Sequence, residues 1–197
     1  MQAFLQDIHG QDIHGVKHGT LLAFILTTGC RVSDTVGLSW PCVDFEAGTV
    51  RFERAMHRID GKWVPSAPKT EAGERELVLD PDVLAHPKKM LDELGEISAG
   101  DEAKQVVFRA EHSIYLHERL ILDALEARCK NLGLPRQVVH GLRHQNASHL
   151  LSMGVALPTV SKRLGHVQVS TTANIYSHSL SEDETRASTA FQSAVAS

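Results

Sequence analysis

Between His140 and His178 the chain collects residue types that bind and transform anions. The segment reads His140-Gly-Leu-Arg143-His144, then, after a helical run, Leu164-Gly165-His166, and then Tyr176-Ser-His178. Such residues on short, separated elements suit convergence on one point, and a group carrying negative charge is what that point would hold. Arg31 and Lys69 add two cations from further upstream.

Three chemistries compete for these residues. His140 and His144 stand i, i+4 apart, a zinc-site spacing that His166 and His178 could complete. A metalloprotease helix would place a Glu directly after the first His, where this chain has Gly141, and no carboxylate lies near the pair in sequence. A serine hydrolase needs a G-x-S-x-G elbow, and none occurs. Neither chemistry uses two arginines and a tyrosine. Phosphoryl transfer uses them all. Arginine forks bind non-bridging phosphate oxygens bidentately and neutralise charge at a pentacoordinate phosphorus. Tyrosine is a nucleophile once a base or a cationic field offsets its free pKa near ~10, and a neighbouring histidine supplies either. Lysine beside other cations gives up a proton readily to a leaving alkoxide. This chemistry requires no metal, cofactor or nucleotide.

The 197 residues fit one domain with appended segments and can bury a sizeable core. No apolar run reaches roughly 18 residues, and the first residues lack a signal-peptide pattern, so a cytoplasmic protein with no membrane contact is expected. Cys30, Cys42 and Cys129 form no CxxC pair, in keeping with a reducing compartment. A net charge of −4 runs against nucleic-acid binding unless cations are concentrated locally, because phosphate binding is driven by Lys and Arg replacing counterions.

The elements that must position these residues read mainly as helices. Residues 1–19 form a lead-in carrying the direct repeat Gln-Asp-Ile-His-Gly, at Gln6 and again at Gln11. Thr20 to Thr28 is apolar nearly all round, as a core helix is, with Gly29 as a left-handed cap. Ser33-Asp34 is placed to cap a short helix running through Leu38. Val43 to Phe45, Thr49 to Arg54, the turn and strand from Ile59 to Val64, and Arg75 to Leu79 predict a small antiparallel sheet of about three strands. Lys69 sits on the loop before the last of these. Asp80-Pro81 opens a helix toward Leu94 that Pro87 is expected to kink or split, with His86 extended before it. Val106 to Phe108 reads as a short buried strand, and Leu116, Leu120, Leu122, Leu125 and Cys129 as the apolar face of a helix over about 115–132. Helices to Met153 and from Leu157 to Leu164 follow, then a short one capped by Ser170 that carries Tyr176. From Ser181 a tail helix presents Ala187, Ala190, Phe191, Ala194 and Val195 on one stripe.

Taken together, His140-x-x-Arg143, Leu164-Gly165-His166 and Tyr176, with Thr28-Gly29-Cys30-Arg31 upstream, resemble the catalytic domain of the tyrosine recombinases, the phage-integrase family, over about 21–178. The resemblance implies a mainly α fold with a small three-stranded antiparallel β-sheet (α+β), with the catalytic domain over 20–179. It also implies roles. Arg31 and Arg143 would bind the scissile phosphate, His140 act as acid/base beside the nucleophile, and His166 donate to a phosphate oxygen. Lys69 would protonate the leaving 5′ oxygen, and Tyr176 attack to give a 3′-phosphotyrosyl bond that a second strand can rejoin without ATP. Asp34 resembles the acidic position that supports the first arginine. The chain departs from the family pattern at Cys30, Gln145 and Pro87.

Family members usually carry an N-terminal DNA-binding domain. Its absence here predicts a catalytic fragment or truncated relative, whose binding to double-stranded DNA is weak and strongly salt-dependent. In the family the segment after the nucleophile often packs on a neighbouring protomer, so the tail over 180–197 is expected to dock in trans within a tetramer on paired DNA sites. A type IB topoisomerase-like relaxer and a non-catalytic DNA-binding remnant are the alternatives.

Overall fold

Leu21 to Leu26 are all buried in helix α1 (Gly19–Thr28), the rod around which the other elements assemble. The computed structural model describes residues 18–66, 74–95, 105–110 and 113–173. The QDIHG repeat, Lys69, Tyr176, His178 and the expected tail helix lie outside them. Gly29 ends α1 in the left-handed region, φ 66°, and its N–H donates to the Ile25 carbonyl at 2.9 Å. Helix α2 (Val32–Val36) follows with Arg31 as its N-cap. Asp34 is therefore inside the helix rather than ahead of it, and its carboxylate reaches back to the Arg31 N–H at 3.4 Å.

Strands β1 (Val43–Asp44), β2 (Thr49–Phe52) and β5 (Arg75–Val78) form a three-stranded antiparallel sheet in the order β1-β2-β5, with Val50 opposite both Val43 and Leu77. The Trp63 strand is not part of that sheet. It is β4 (Lys62–Ser66), which pairs only with β3 (Ala55–Ile59) in a separate hairpin. Two local features force the separation. Asp60 and Gly61 both have positive φ, 49° and 80°, which a two-residue primed turn requires, so Ile59 pairs Lys62. Ahead of β3, a Cβ on Gly37 would come within 2.9 Å of the Arg54 carbonyl oxygen, and Arg54 Nε donates to the Gly37 carbonyl. The chain leaving β2 is thus pinned to the end of α2, and β3 packs there instead of extending the sheet.

Helix α3 (Pro81–Leu94) is capped by the Asp80 carboxylate and runs through Pro87 unbroken, with His86 helical. Pro87 removes a single N–H from the ladder, and it lies buried beside Leu84 on the face packed on α1, so burial overrides the break expected there. Val106, Val107 and Phe108 are buried, yet they form no strand. Val106 makes an isolated bridge to Ser39, and the Phe108 ring packs tilted against Phe24, centroids 5.3 Å apart. Helix α4 (Glu118–Asn131) takes its cap from His117, a phase that turns Ile121, Ala124, Leu125 and Cys129 inward and leaves Leu120 outside.

Helix α5 (Val139–Ser152) crosses α1, and α6 (Leu157–Leu164) joins it through a small cluster of Ala147, Leu151, Val160 and Leu164. Gly165, φ 68°, caps α6 as expected. The chain is helical again over 169–173, so Ser170 lies within that turn and not ahead of it. No helix among the described residues is long and apolar enough to cross a membrane.

A Cβ on Gly29 would lie 2.7 Å from Asn146 Oδ1 and 2.8 Å from Leu164 Cδ2. Gly29→Ala is expected to lower the unfolding free energy by about 1–2 kcal/mol from its left-handed backbone alone, and by more through this crowding. Urea denaturation of the two proteins measures the difference, and equal stability would contradict the packing described.

Candidate active site

Every helix ends with carbonyls that have no intrahelical partner, and here those of α1 and α6 are answered by side chains from elsewhere in the chain. Arg143, in the second turn of α5 and 3% exposed, donates from Nη1 to the Gly29 carbonyl at 2.6 Å and from Nη2 to the Leu164 carbonyl at 2.7 Å. One turn on, Asn146 Nδ2 donates to the carbonyls of Leu26 and Thr27, each at 2.9 Å. Arg163 adds a donor to the Thr27 carbonyl at 3.2 Å. Burial, with Arg31 and Arg75 nearby, pushes the Arg143 guanidinium down to about 10, which leaves it cationic at neutral pH.

The end of α6 is the more unusual of the two. Three consecutive carbonyls there each accept from a different arginine: Arg163 O from Arg75 Nε at 2.9 Å, Leu164 O from Arg143, and Gly165 O from Arg31 Nη2 at 3.1 Å. The residues brought together are 134 apart in the case of Arg31 and Gly165. Asp34 stands beside this group, and the expectation that it supports Arg31 holds for the backbone, through the N–H already described. Its shorter side-chain contact is with Arg75, Nη2 to Oδ2 at 3.0 Å, while Arg31 Nη1 is 3.9 Å away.

His166 follows Gly165, and its Nε2 lies 2.8 Å from Arg143 Nη2. A guanidinium has no acceptor, so Nε2 must present its lone pair and the ring proton must sit on Nδ1. That proton points to Thr172 Oγ1 at 2.8 Å. Burial, reinforced by Arg143, Arg31, Arg75 and His140, pushes His166 down to about 4. In this state Nε2 accepts. Donation to a phosphate oxygen from that atom requires the ring to gain a proton or change tautomer.

His140 occupies the first turn of α5 with its ring edge-on to His144, centroids 4.6 Å apart. Partial burial, then His144, Arg143 and Arg31, hold its pKa below the usual value. His140, Arg31 and Arg143 line one half-open cleft of about 920 Å³ between the β3–β4 hairpin and the starts of α4 and α5. Arg58 lines it too, so three guanidiniums face one carboxylate, that of Glu118. A chain of net charge −4 thus keeps a cationic face. Of the residues expected in the site, Arg31 and Arg143 share the α6 terminus and line the cleft with His140, while His166 bonds Arg143 but lines a second pocket with Arg75 and Arg163. Lys69 and Tyr176 lie outside the described residues.

Sequence reasoning missed Arg75, Asn146 and Thr172. Arg75 carried a legible signal, since strand alternation puts it in phase with inward-facing Leu77, and an arginine in an inward slot demands a partner. Asn146 and Thr172 had no comparable signal, because their partners are set by tertiary packing.

The fold is that of tyrosine recombinase catalytic domains. The DNA-bound Tn1549 transposon integrase matches with a TM-score of 0.73 at 21% identity, covering 89% of this chain and 58% of that one. XerA recombinase matches with 0.71 at 18% identity, covering 94% and 60%. Among sequences, a tyrosine recombinase XerC-like protein of Caldanaerobacter subterraneus is 30% identical over 190 residues, which is 88% of this chain and 48% of that protein. Residues 1–183 match the phage integrase family, and the chain belongs to it. It spans about half the length of the curated relatives it matches.

The His166 geometry has a direct readout. At pH 6 the ring is expected to be neutral with its proton on Nδ1, giving the corresponding imidazole ¹⁵N shifts, and to titrate near 4. A folded-state pKa below the unfolded value of ~6.5 means that this group's contribution to stability is intact above about 6.5 and is lost as pH falls from there toward 4. A His166 ring that titrates at its ordinary value would contradict the Arg143 contact.

Proposed function

We propose that this chain is the catalytic part of a site-specific DNA recombinase or integrase, which breaks and rejoins strands through a tyrosine without metal or ATP. The observation that carries this is the α6 terminus, whose successive carbonyls hold Arg143 and Arg31 side by side at a cleft that His140 also lines. Two adjacent forks and a histidine are what a phosphodiester in displacement needs.

In this reading Arg31 and Arg143 bind the non-bridging oxygens of the scissile phosphate. Arg31 is the half-exposed member and meets the phosphate first, while Arg143 is recessed behind it. The added negative charge favours the protonated His166 ring, so phosphate binding draws a proton to Nε2 and turns it from acceptor to donor. His140, kept neutral by its surroundings, accepts the Tyr176 proton as the phenolic oxygen attacks phosphorus. The bond to the 5′ oxygen breaks, Lys69 supplies the proton to that oxygen, and a 3′-phosphotyrosyl bond and a free 5′ hydroxyl result. The partner is double-stranded DNA, met as a tetramer on paired sites, with the tail over 180–197 docking on a neighbouring protomer.

A randomised substrate removes the need to choose a DNA site in advance. A pool of nicked duplexes of random sequence is incubated with the protein, and SDS-stable protein–DNA adducts are recovered and sequenced. Adducts from the native chain and none from Tyr176→Phe are expected. Arg143→Lys should slow adduct formation on the recovered duplex by on the order of 10²–10³-fold, the usual effect of losing a charge-stabilising donor. Relaxation of arbitrary supercoiled plasmid would indicate a topoisomerase-like enzyme. Binding to DNA with no adduct on any duplex would indicate a non-catalytic remnant.

A further inference from the structure

Arg75 belongs to none of the motifs and does not face the cleft. Its guanidinium is 3% exposed, stacked 4.6 Å from the centre of the Phe52 ring, and it bonds the Arg163 carbonyl and Asp34. The Asp34 side chain is nearly buried, at 11%, with Oδ2 between two cations, 3.0 Å from Arg75 and 3.9 Å from Arg31 Nη1. A carboxylate in that position attaches itself to whichever guanidinium it can reach, because a buried charge left without a partner is costly. If it closed on Arg31, it would occupy the donors that now face the Gly165 carbonyl and the cleft, and cancel the charge there. Arg75 is the nearer cation, and it is fixed from three sides, by a carbonyl, a ring and the strand that carries it.

We propose that Arg75 is a positioning residue that captures the Asp34 carboxylate and so keeps the Arg31 guanidinium free to bind a phosphate. The proposal rests on the reading of Arg31 as a phosphate ligand. Asp34 then has two separable tasks. It accepts from the Arg31 backbone N–H, which starts α2 in the right place, and its surplus charge is taken up by Arg75, not by Arg31. The side-chain amide of an Asn could do the first task equally well and would make the second unnecessary.

This gives a rescue that a purely structural role does not give. Sulfate, which stays ionised across the working range, serves as the probe. Its binding is followed by the side-chain Nε–H signal of Arg31 in ¹⁵N-labelled protein, assigned with Arg31→Lys, below the unfolding midpoint of each variant. Arg75→Met should weaken sulfate binding at Arg31 by about tenfold or more, since the released Asp34 carboxylate then competes at close range. Adding Asp34→Asn to that variant should bring the affinity back to within about threefold of wild type. Asp34→Asn alone, the variant to use if Arg75→Met does not fold, should also stay within about threefold, because the Arg31 N–H keeps its acceptor. A folded Arg75→Met that binds as wild type does, a double variant with no recovery, or a tenfold loss in Asp34→Asn alone overturns the proposal. A wild-type Arg31 signal that does not respond to sulfate overturns instead the reading of the cleft as a phosphate site.

Discussion

Three successive peptide carbonyls at the end of one helix each orient a different arginine, and the geometry of the whole cleft depends on that contact. A helix C-terminus carries roughly half a negative charge, spread over carbonyls that nothing inside the helix can satisfy. Arginines are natural caps for it. Unlike a carboxylate, however, a carbonyl dipole fixes the direction of a guanidinium without cancelling its charge. Arg31 and Arg143 are therefore oriented by groups that leave each of them a net cation. Preorganisation of this kind is where electrostatic catalysis draws most of its effect.

The rest of the architecture can be understood as what brings two such helix ends to one place. Helix α1 is apolar all round because α3, α4 and α5 cover it, and its C-terminus is consequently interior, where its carbonyls must be answered by Asn146, Arg143 and Arg163. Gly29 permits the approach, since any side chain there would strike Asn146 and Leu164. Phe24, Phe52 and Phe108 tie the same rod to the sheet, and Phe52 in turn supports Arg75. Core packing and site geometry are thus one set of contacts. A change at Gly29 or Asn146 moves Arg143 as surely as it loosens the fold.

Much of this was legible in the residues themselves. The uniform apolarity of α1, the two glycine caps and the convergence of Arg31, Arg143 and His166 all follow from local rules and motif order. What was not legible has physical causes. Pro87 sits on a helix face that burial holds in register, so a local breaker lost to tertiary packing. The β3–β4 hairpin leaves the sheet because Gly37 and Arg54 fit closely together, a contact between residues 17 apart that no alternation pattern reveals. The proton of His166 is assigned by what Arg143 cannot do, namely accept, and that requires knowing that the two side chains touch. Arg75 was readable in principle from its phase in β5, but only its partners make it more than a buried charge.

The cationic lining of the cleft has a further consequence in a molecule whose total charge is negative. Arg31, Arg58 and Arg143 there face one carboxylate, Glu118, so the field at this mouth is opposite in sign to the net charge of the chain. An anion within a Debye length of the mouth, about 8 Å at physiological ionic strength, is drawn by that local field whatever the sum over the whole chain.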